Sequence, residues 1–122
     1  MAAGDITALT APVIDREVVA SATAGTTVFV ITDKGRIHSY TISGQANALV
    51  SATINERPTA MATLGTNLYV GTDQGNIYKV VMASGVTTTL AGLGQKIQAM
   101  CMYGTLIYVT LADNTFKSVA IS

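Results

Sequence analysis

Tryptophan is missing altogether from these 122 residues, and cysteine and histidine occur once each. A single cysteine excludes a disulfide framework and a cysteine-built metal site within one chain. The one histidine, His38, has no serine or cysteine nucleophile in a recognised motif to work with, so it reads as a surface residue of a strand. Charge is scarce as well, at 11% of the chain against roughly 25% in ordinary soluble domains. Seven basic residues balance seven acidic ones, which leaves no field to gather a polyanion and excludes nucleic acid as an expected partner. No apolar run approaches the ~20 residues of a membrane-spanning helix, so no membrane partner is expected either. The start, Met1 to Asp5, has neither a positive stretch nor an apolar one, and synthesis in the cytoplasm without a signal peptide is expected.

What the chain does have is repetition. Gly25-Thr26-Thr27-Val28-Phe29-Val30, Gly65-Thr66-Asn67-Leu68-Tyr69-Val70 and Gly104-Thr105-Leu106-Ile107-Tyr108-Val109 recur at spacings of 40 and 39. The match runs on through Thr32-Asp33-Lys34-Gly35-Arg36-Ile37 and Thr72-Asp73-Gln74-Gly75-Asn76-Ile77, with Leu111 to Phe116 as a degenerate third copy. Short β-rich segments alternate with Gly, Asn, Asp and Ser turns, and no window holds a helical period. The expected strands of each repeat are a (17–23, 58–63, 97–103), b (26–32, 66–72, 105–111), c (36–42, 76–82, 115–121) and, in the first two repeats, d (47–52, 86–91). The whole of 1–122 then forms one domain, divided into 15–54, 55–94 and 95–122. Residues 5–14 precede these as an orphan strand d, because Ala8 to Thr26 aligns without gaps on Ala48 to Thr66. A first strand that completes the last repeat is a device for removing sheet edges.

The middle copy, Pro58 through Tyr78, resembles the blade repeat of quinoprotein-like β-propellers, and the other two copies follow it. The resemblance implies a fold of three four-stranded propeller blades. It does not carry over a cofactor: the tryptophan that often docks between blades in that family has no counterpart here, and no quinone is expected. Propellers close with roughly 4–8 blades, so a ring shared between chains is expected, with a homodimer of six blades favoured and residues 5–11 of one chain completing the last blade of the other. The alternative is a β-trefoil, which also uses three such repeats. Against it, strand d lacks bulky residues (Asn47 to Val50, Thr87 to Leu90), and strand a is rich in small ones (Ala20, Ala22, Ala60, Ala62, Ala99).

In a blade the d-to-a and b-to-c connections share one end. Asp15, Arg16, Glu17, Glu56, Arg57 and Lys96 fall at d-to-a connections, and Asp33, Lys34, Asp73 and Asp113 in b-to-c turns, so ten of the fourteen charges gather at one end. Arg16, Glu17, Glu56, Arg57 and Lys96 form the candidate ligand face, with mutual Arg–Glu pairing on solvated loops as the competing reading. An Asp followed two residues later by Gly is ordinary turn chemistry, and no metal site is expected from it. The other end carries no charge and shows Ile42, Leu64, Met82 and Tyr103, the composition of a docking surface. Phe29, Tyr69 and Tyr108 take one equivalent position per repeat and read as packing between blades. Cys101, in the apolar stretch Ile97 to Met102, reads as a buried small hydrophobe.

No catalytic residue, cofactor or metal is expected. The leading expectation is a non-enzymatic structural or assembly protein, an oligomeric propeller docked on another protein of a larger assembly. A virion accessory subunit, a capsid decoration or tail component, is the kind of role that fits. The alternative is a carbohydrate-binding propeller lectin.

Overall fold

The computed structural model describes residues 3–4, 16–42, 46–50 and 54–121. These residues form β1 (Val18–Ala24), β2 (Thr27–Thr32), β3 (Ile37–Thr41), β4 (Ala46–Val50), β5 (Pro58–Leu64), β6 (Asn67–Thr72), β7 (Asn76–Val81), β8 (Thr87–Gly92), β9 (Ile97–Tyr103), β10 (Leu106–Leu111) and β11 (Phe116–Ala120). Each strand boundary lies within two residues of the one expected from turn chemistry. The strands pair in sequence order into three separate antiparallel sheets, β1-β2-β3-β4, β5-β6-β7-β8 and β9-β10-β11. None of these sheets shares a strand with another, so the arrangement is that of propeller blades and not of a trefoil barrel. The orphan strand expected at residues 5–11 lies outside the described residues.

The recurring Gly-Thr fixes the first hairpin of every blade. Gly25, Gly65 and Gly104 take φ of 58°, 61° and 62°, and each is the first residue of a two-residue loop. The following threonines keep ordinary φ, the pattern of a II′ turn, whose twist matches that of the flanking strands. The second hairpin uses a three-residue loop closed by Gly35 N–H to Thr32 C=O at 2.9 Å, by Gly75 to Thr72 at 3.2 Å and by Asn114 to Leu111 at 2.9 Å. The degenerate third copy keeps this turn because Asn114 accepts φ of 68°, a left-handed conformation that asparagine tolerates better than most residues. Every first strand also carries one extra residue against its partner, at Val19, Thr59 and Gln98, where the register shifts. Such bulges sharpen the local twist beside the d-to-a connections.

Burial shows how the blades stack. One core lies between the first two blades, with Phe29, Ile31 and Ile37 facing Met61, Leu68, Val70 and Val80. A second lies between the last two, with Ala60, Tyr69 and Ile77 facing Ile97, Ile107, Val109 and Leu111. Because β6 is covered on both sides, Leu68 through Thr72 are all buried, and burial along the strand does not alternate. Each fully buried Ile, Leu or Val contributes about 1.5–3 kcal/mol, so these two seams hold the blades together. The first strands β1, β5 and β9 lie side by side, and their small residues let them: Ala20, Ala22 and Ala24 pack against the first core. Thr63 Oγ1 donates to the carbonyl of its repeat equivalent, Thr23, at 2.6 Å, so the blades run in the same sense with matching ends together.

Candidate interaction surface

The d-to-a connections bring four charges of alternating sign into contact. Arg16 donates from Nε to Asp33 Oδ1 at 2.9 Å and from Nη2 to Oδ2 at 3.3 Å. Arg57 donates to Glu17 Oε1 at 2.8 Å and approaches Asp33 at 4.0 Å. The hydrogen bond from Arg16 leads the effects that hold the Asp33 carboxyl below the usual carboxylate range. Opposite charges thus neutralise each other on exposed loops, where solvent screening leaves such pairs little effect on stability.

Glu56 does something different from its neighbours. Its carboxylate accepts from Thr72 Oγ1 at 2.6 Å, from Asn76 Nδ2 at 2.9 and 3.0 Å, and from Tyr78 OH at 2.6 Å. Partial burial pushes this carboxyl up, and the donors from Thr72, Tyr78 and Asn76 outweigh it, so the net shift is downward. The same contact with Glu56 raises the Tyr78 phenol. Glu56 therefore ties the d-to-a connection onto the second and third strands of its own blade. Its repeat equivalents cannot: Arg16 stands opposite Arg36 and His38, and Gln95 opposite Leu111 and Lys117. Gln95 turns instead to Asp113 Oδ2 at 3.0 Å, while Thr115 donates both hydroxyl and backbone N–H to that carboxylate and keeps it below its usual range.

Among the described residues, two open clefts lie at this end. One, of about 430 Å³, is lined by Asp33, Lys34 and the segment Ile54 to Arg57. The other, of about 360 Å³, lies where β1, β5 and β9 begin and includes Glu17, Arg57 and Lys96. Of the candidate ligand residues, Arg16, Glu17 and Arg57 are thus engaged with neighbouring charges, Glu56 is turned inward, and Lys96 borders the second cleft. Among the described residues, no three His, Cys, Asp or Glu side chains converge as a metal site would require.

At the opposite end Ile42 is 57% exposed, Leu64 38% and Tyr103 77%, while Met82 is half-buried. Val86, 56% exposed in the c-to-d turn of the second blade, belongs with them and was not singled out from sequence. The signal for it is the turn it follows, where Gly85 N–H bonds to Val81 C=O at 2.7 Å and leaves the next side chain outside.

Two expectations need correction. Cys101 is exposed, not buried, because it sits on the face of β9 that no described blade covers. Tyr108 shares that face, so it stacks on Phe116 with ring centroids 5.8 Å apart and is half-exposed, whereas its equivalents Phe29 and Tyr69 are buried between blades. His38 is half-buried on the free face of the first blade, with Nε2 closed off from solvent and lacking a hydrogen-bond partner.

No protein-family model matches the chain, and no curated relative does. Among solved structures it is similar to the WD40 β-propeller domain of Doa1, at TM-score 0.75 and 15% identity over 87% of this chain and 38% of that one. It is also similar to YCF48, solved with D1 peptide bound, at TM-score 0.70 and 5% identity over 86% of this chain and 37% of that one. The computationally designed Ika4 protein matches at TM-score 0.60 and 14% identity, over 94% of this chain and 96% of that one. Together with three stacked antiparallel sheets, these likenesses define an all-β chain of the β-propeller class. The chain spans less than half the length of the Doa1 and YCF48 chains that it matches.

Proposed function

We propose that this chain is a non-enzymatic structural protein, an oligomeric propeller that docks by its uncharged end onto another protein of a larger assembly. The observation that carries the reading is the exposure of Ile42, Leu64, Val86 and Tyr103 on turns that contain no charged residue. Exposed apolar side chains without charge around them have the composition of an interface core, where aromatic residues are enriched and Lys, Glu and Asp depleted. The YCF48 likeness lends support of a general kind, since that propeller is known with a peptide bound. A virion, with this chain as a capsid decoration or tail subunit, is the class of assembly that suits a small scaffold of low charge. The lectin reading loses ground on geometry: of the side chains that would clamp sugar hydroxyls, Arg16 is spent on Asp33, Arg57 on Glu17, and Glu56 on Thr72, Asn76 and Tyr78.

The experiment places a photo-reactive residue at Tyr103 or at Lys34, on opposite ends, and exposes each form to the native assembly. Discrete crosslinking to one protein from position 103, and none from 34, is the expected result. Crosslinking from 34 alone, or saccharide-specific binding on a glycan array, overturns the reading.

A further inference from the structure

Packing within the chain has a direction: each blade turns one face to the blade after it and the other to the blade before it. On the forward faces Phe29 and Tyr69 are 5% and 2% exposed, and Ile37 and Ile77 are both 0% exposed. The third blade repeats these positions as Tyr108, half-exposed, and Phe116, 67% exposed. Ala22, packed against the first core, and Ala62, 7% exposed, are repeated there as the exposed Cys101. On the backward faces Leu68, Ile107, Val70 and Val109 are all 0% exposed. The first blade repeats them as Val28 and Val30, both half-exposed. The chain therefore displays, at its two ends, the two halves of an interface that it makes twice internally.

We propose that the forward face of β9 to β11 in one chain packs on the backward face of β1 to β3 in a second copy. The contact is head to tail, and two such contacts close a ring of two chains. This rests on the reading of the chain as an oligomeric propeller and adds to it the surfaces and their polarity. A second copy is the occupant because both halves of the seam stand on this one chain in the register already used inside it. Like-to-like packing of two forward faces has no precedent in the molecule. A head-to-tail contact makes a ring only if its rotation closes. Two copies give six blades, inside the roughly 4–8 at which propellers close, whereas three copies give nine. Tyr108 and Phe116 are the aromatic anchors, as large buried rings commonly are in interfaces. Thr63 donates to the Thr23 carbonyl inside the chain. At the junction, Thr23 of one copy takes the part of Thr63 and donates to the Met102 carbonyl of the other.

Sedimentation of the wild-type chain, Phe116→Glu and Val30→Glu, each at several concentrations, tests the proposal. The wild type is expected at twice the chain mass and each variant at half that, with an unchanged β circular dichroism spectrum. Mixing the two variants is expected to restore a two-chain species, because one intact head then meets one intact tail. A wild-type monomer at all concentrations overturns the proposal, and so does dissociation by only one of the variants, which marks like-to-like packing. If either variant loses its fold, labelling of Cys101 in the wild type decides: labelling that slows as concentration rises supports the junction, and a concentration-independent rate refutes it. Leu64→Glu separates this from the docking reading, since it spares both end faces and is expected to keep the two-chain mass while losing the larger partner.

Discussion

Replacing Glu56 by glutamine changes one charge with almost no change in shape, at a carboxylate that receives hydrogen bonds from Thr72, Asn76 and Tyr78. All of these groups donate to Glu56, so an amide must turn its own N–H groups toward at least one of them. Hydrogen bonds to a charged group contribute about 1.5–3 kcal/mol each. The amide keeps one acceptor oxygen, and both hydroxyls can rotate to accept, so the net loss is placed at about 2 kcal/mol, close to one such bond. The sign with pH follows from the lowered carboxyl of Glu56 in the folded chain. Its stabilisation is fully present above the unfolded value and is lost as the pH falls through the folded one. Once protonated, the glutamic acid is uncharged and offers a donor beside its acceptor oxygen, as the glutamine amide does. Urea unfolding of both proteins at one protein concentration is expected to show the full difference at pH 7, shrinking toward zero below about pH 4. Asp33 and Asp113 also titrate low, but both proteins carry them and their effect cancels in the difference. An equal difference at both pH values, or none at pH 7, refutes the assignment of Glu56 as the ionic latch of the second blade.

Four further outcomes are expected. Gly65→Ala places a side chain at φ of 61° with nothing within 4 Å, so it costs only the left-handed strain, about 1–2 kcal/mol in a denaturant melt. Gly75→Ala, at φ of 84°, puts Cβ 2.5 Å from the Gln95 carbonyl oxygen and must move backbone as well, so its cost exceeds about 3 kcal/mol; equal costs for the two would contradict the packing of the b-to-c turn on the next connection. Ile107→Ala, at a residue 0% exposed in the seam between the second and third blades, is expected to cost about 2–5 kcal/mol, and a loss below 1 kcal/mol would mean that the seam is not built as described. Arg57→Ala, removing an exposed ion pair, is expected to change stability by less than about 1 kcal/mol, and a larger loss would show the charged end to be structural.

Much of this architecture is legible in the residues because turn chemistry is local. Gly-Thr before an aromatic-centred strand, and Asp-x-Gly or its degenerate copy before the next, place the second and third strands of each blade to within two residues. The bulges at Val19, Thr59 and Gln98 have no such mark, since valine, threonine and glutamine are not bulge-specific residues. Side-chain fate was legible only where neighbours are fixed by the repeat. Phe29 and Tyr69 are buried as their shared position implies, whereas Tyr108 and Cys101 differ because exposure at an end blade depends on what lies beyond it. Reading Phe116 as the equivalent of Ile37 and Ile77 would have revealed the apolar end face from sequence. Arg16, Asp33, Arg57 and Glu17 meet at the connections, but the inward turn of Glu56 depends on Tyr78 and Asn76, residues on another strand whose reach no linear pattern displays.

On the head-to-tail packing proposed above, this chain works as half of a ring. Native mass spectrometry of the unmodified chain, diluted stepwise, tests it most directly. A species of twice the 12.6 kDa chain mass that persists on dilution is the result expected, and a 12.6 kDa monomer at every concentration would contradict the account.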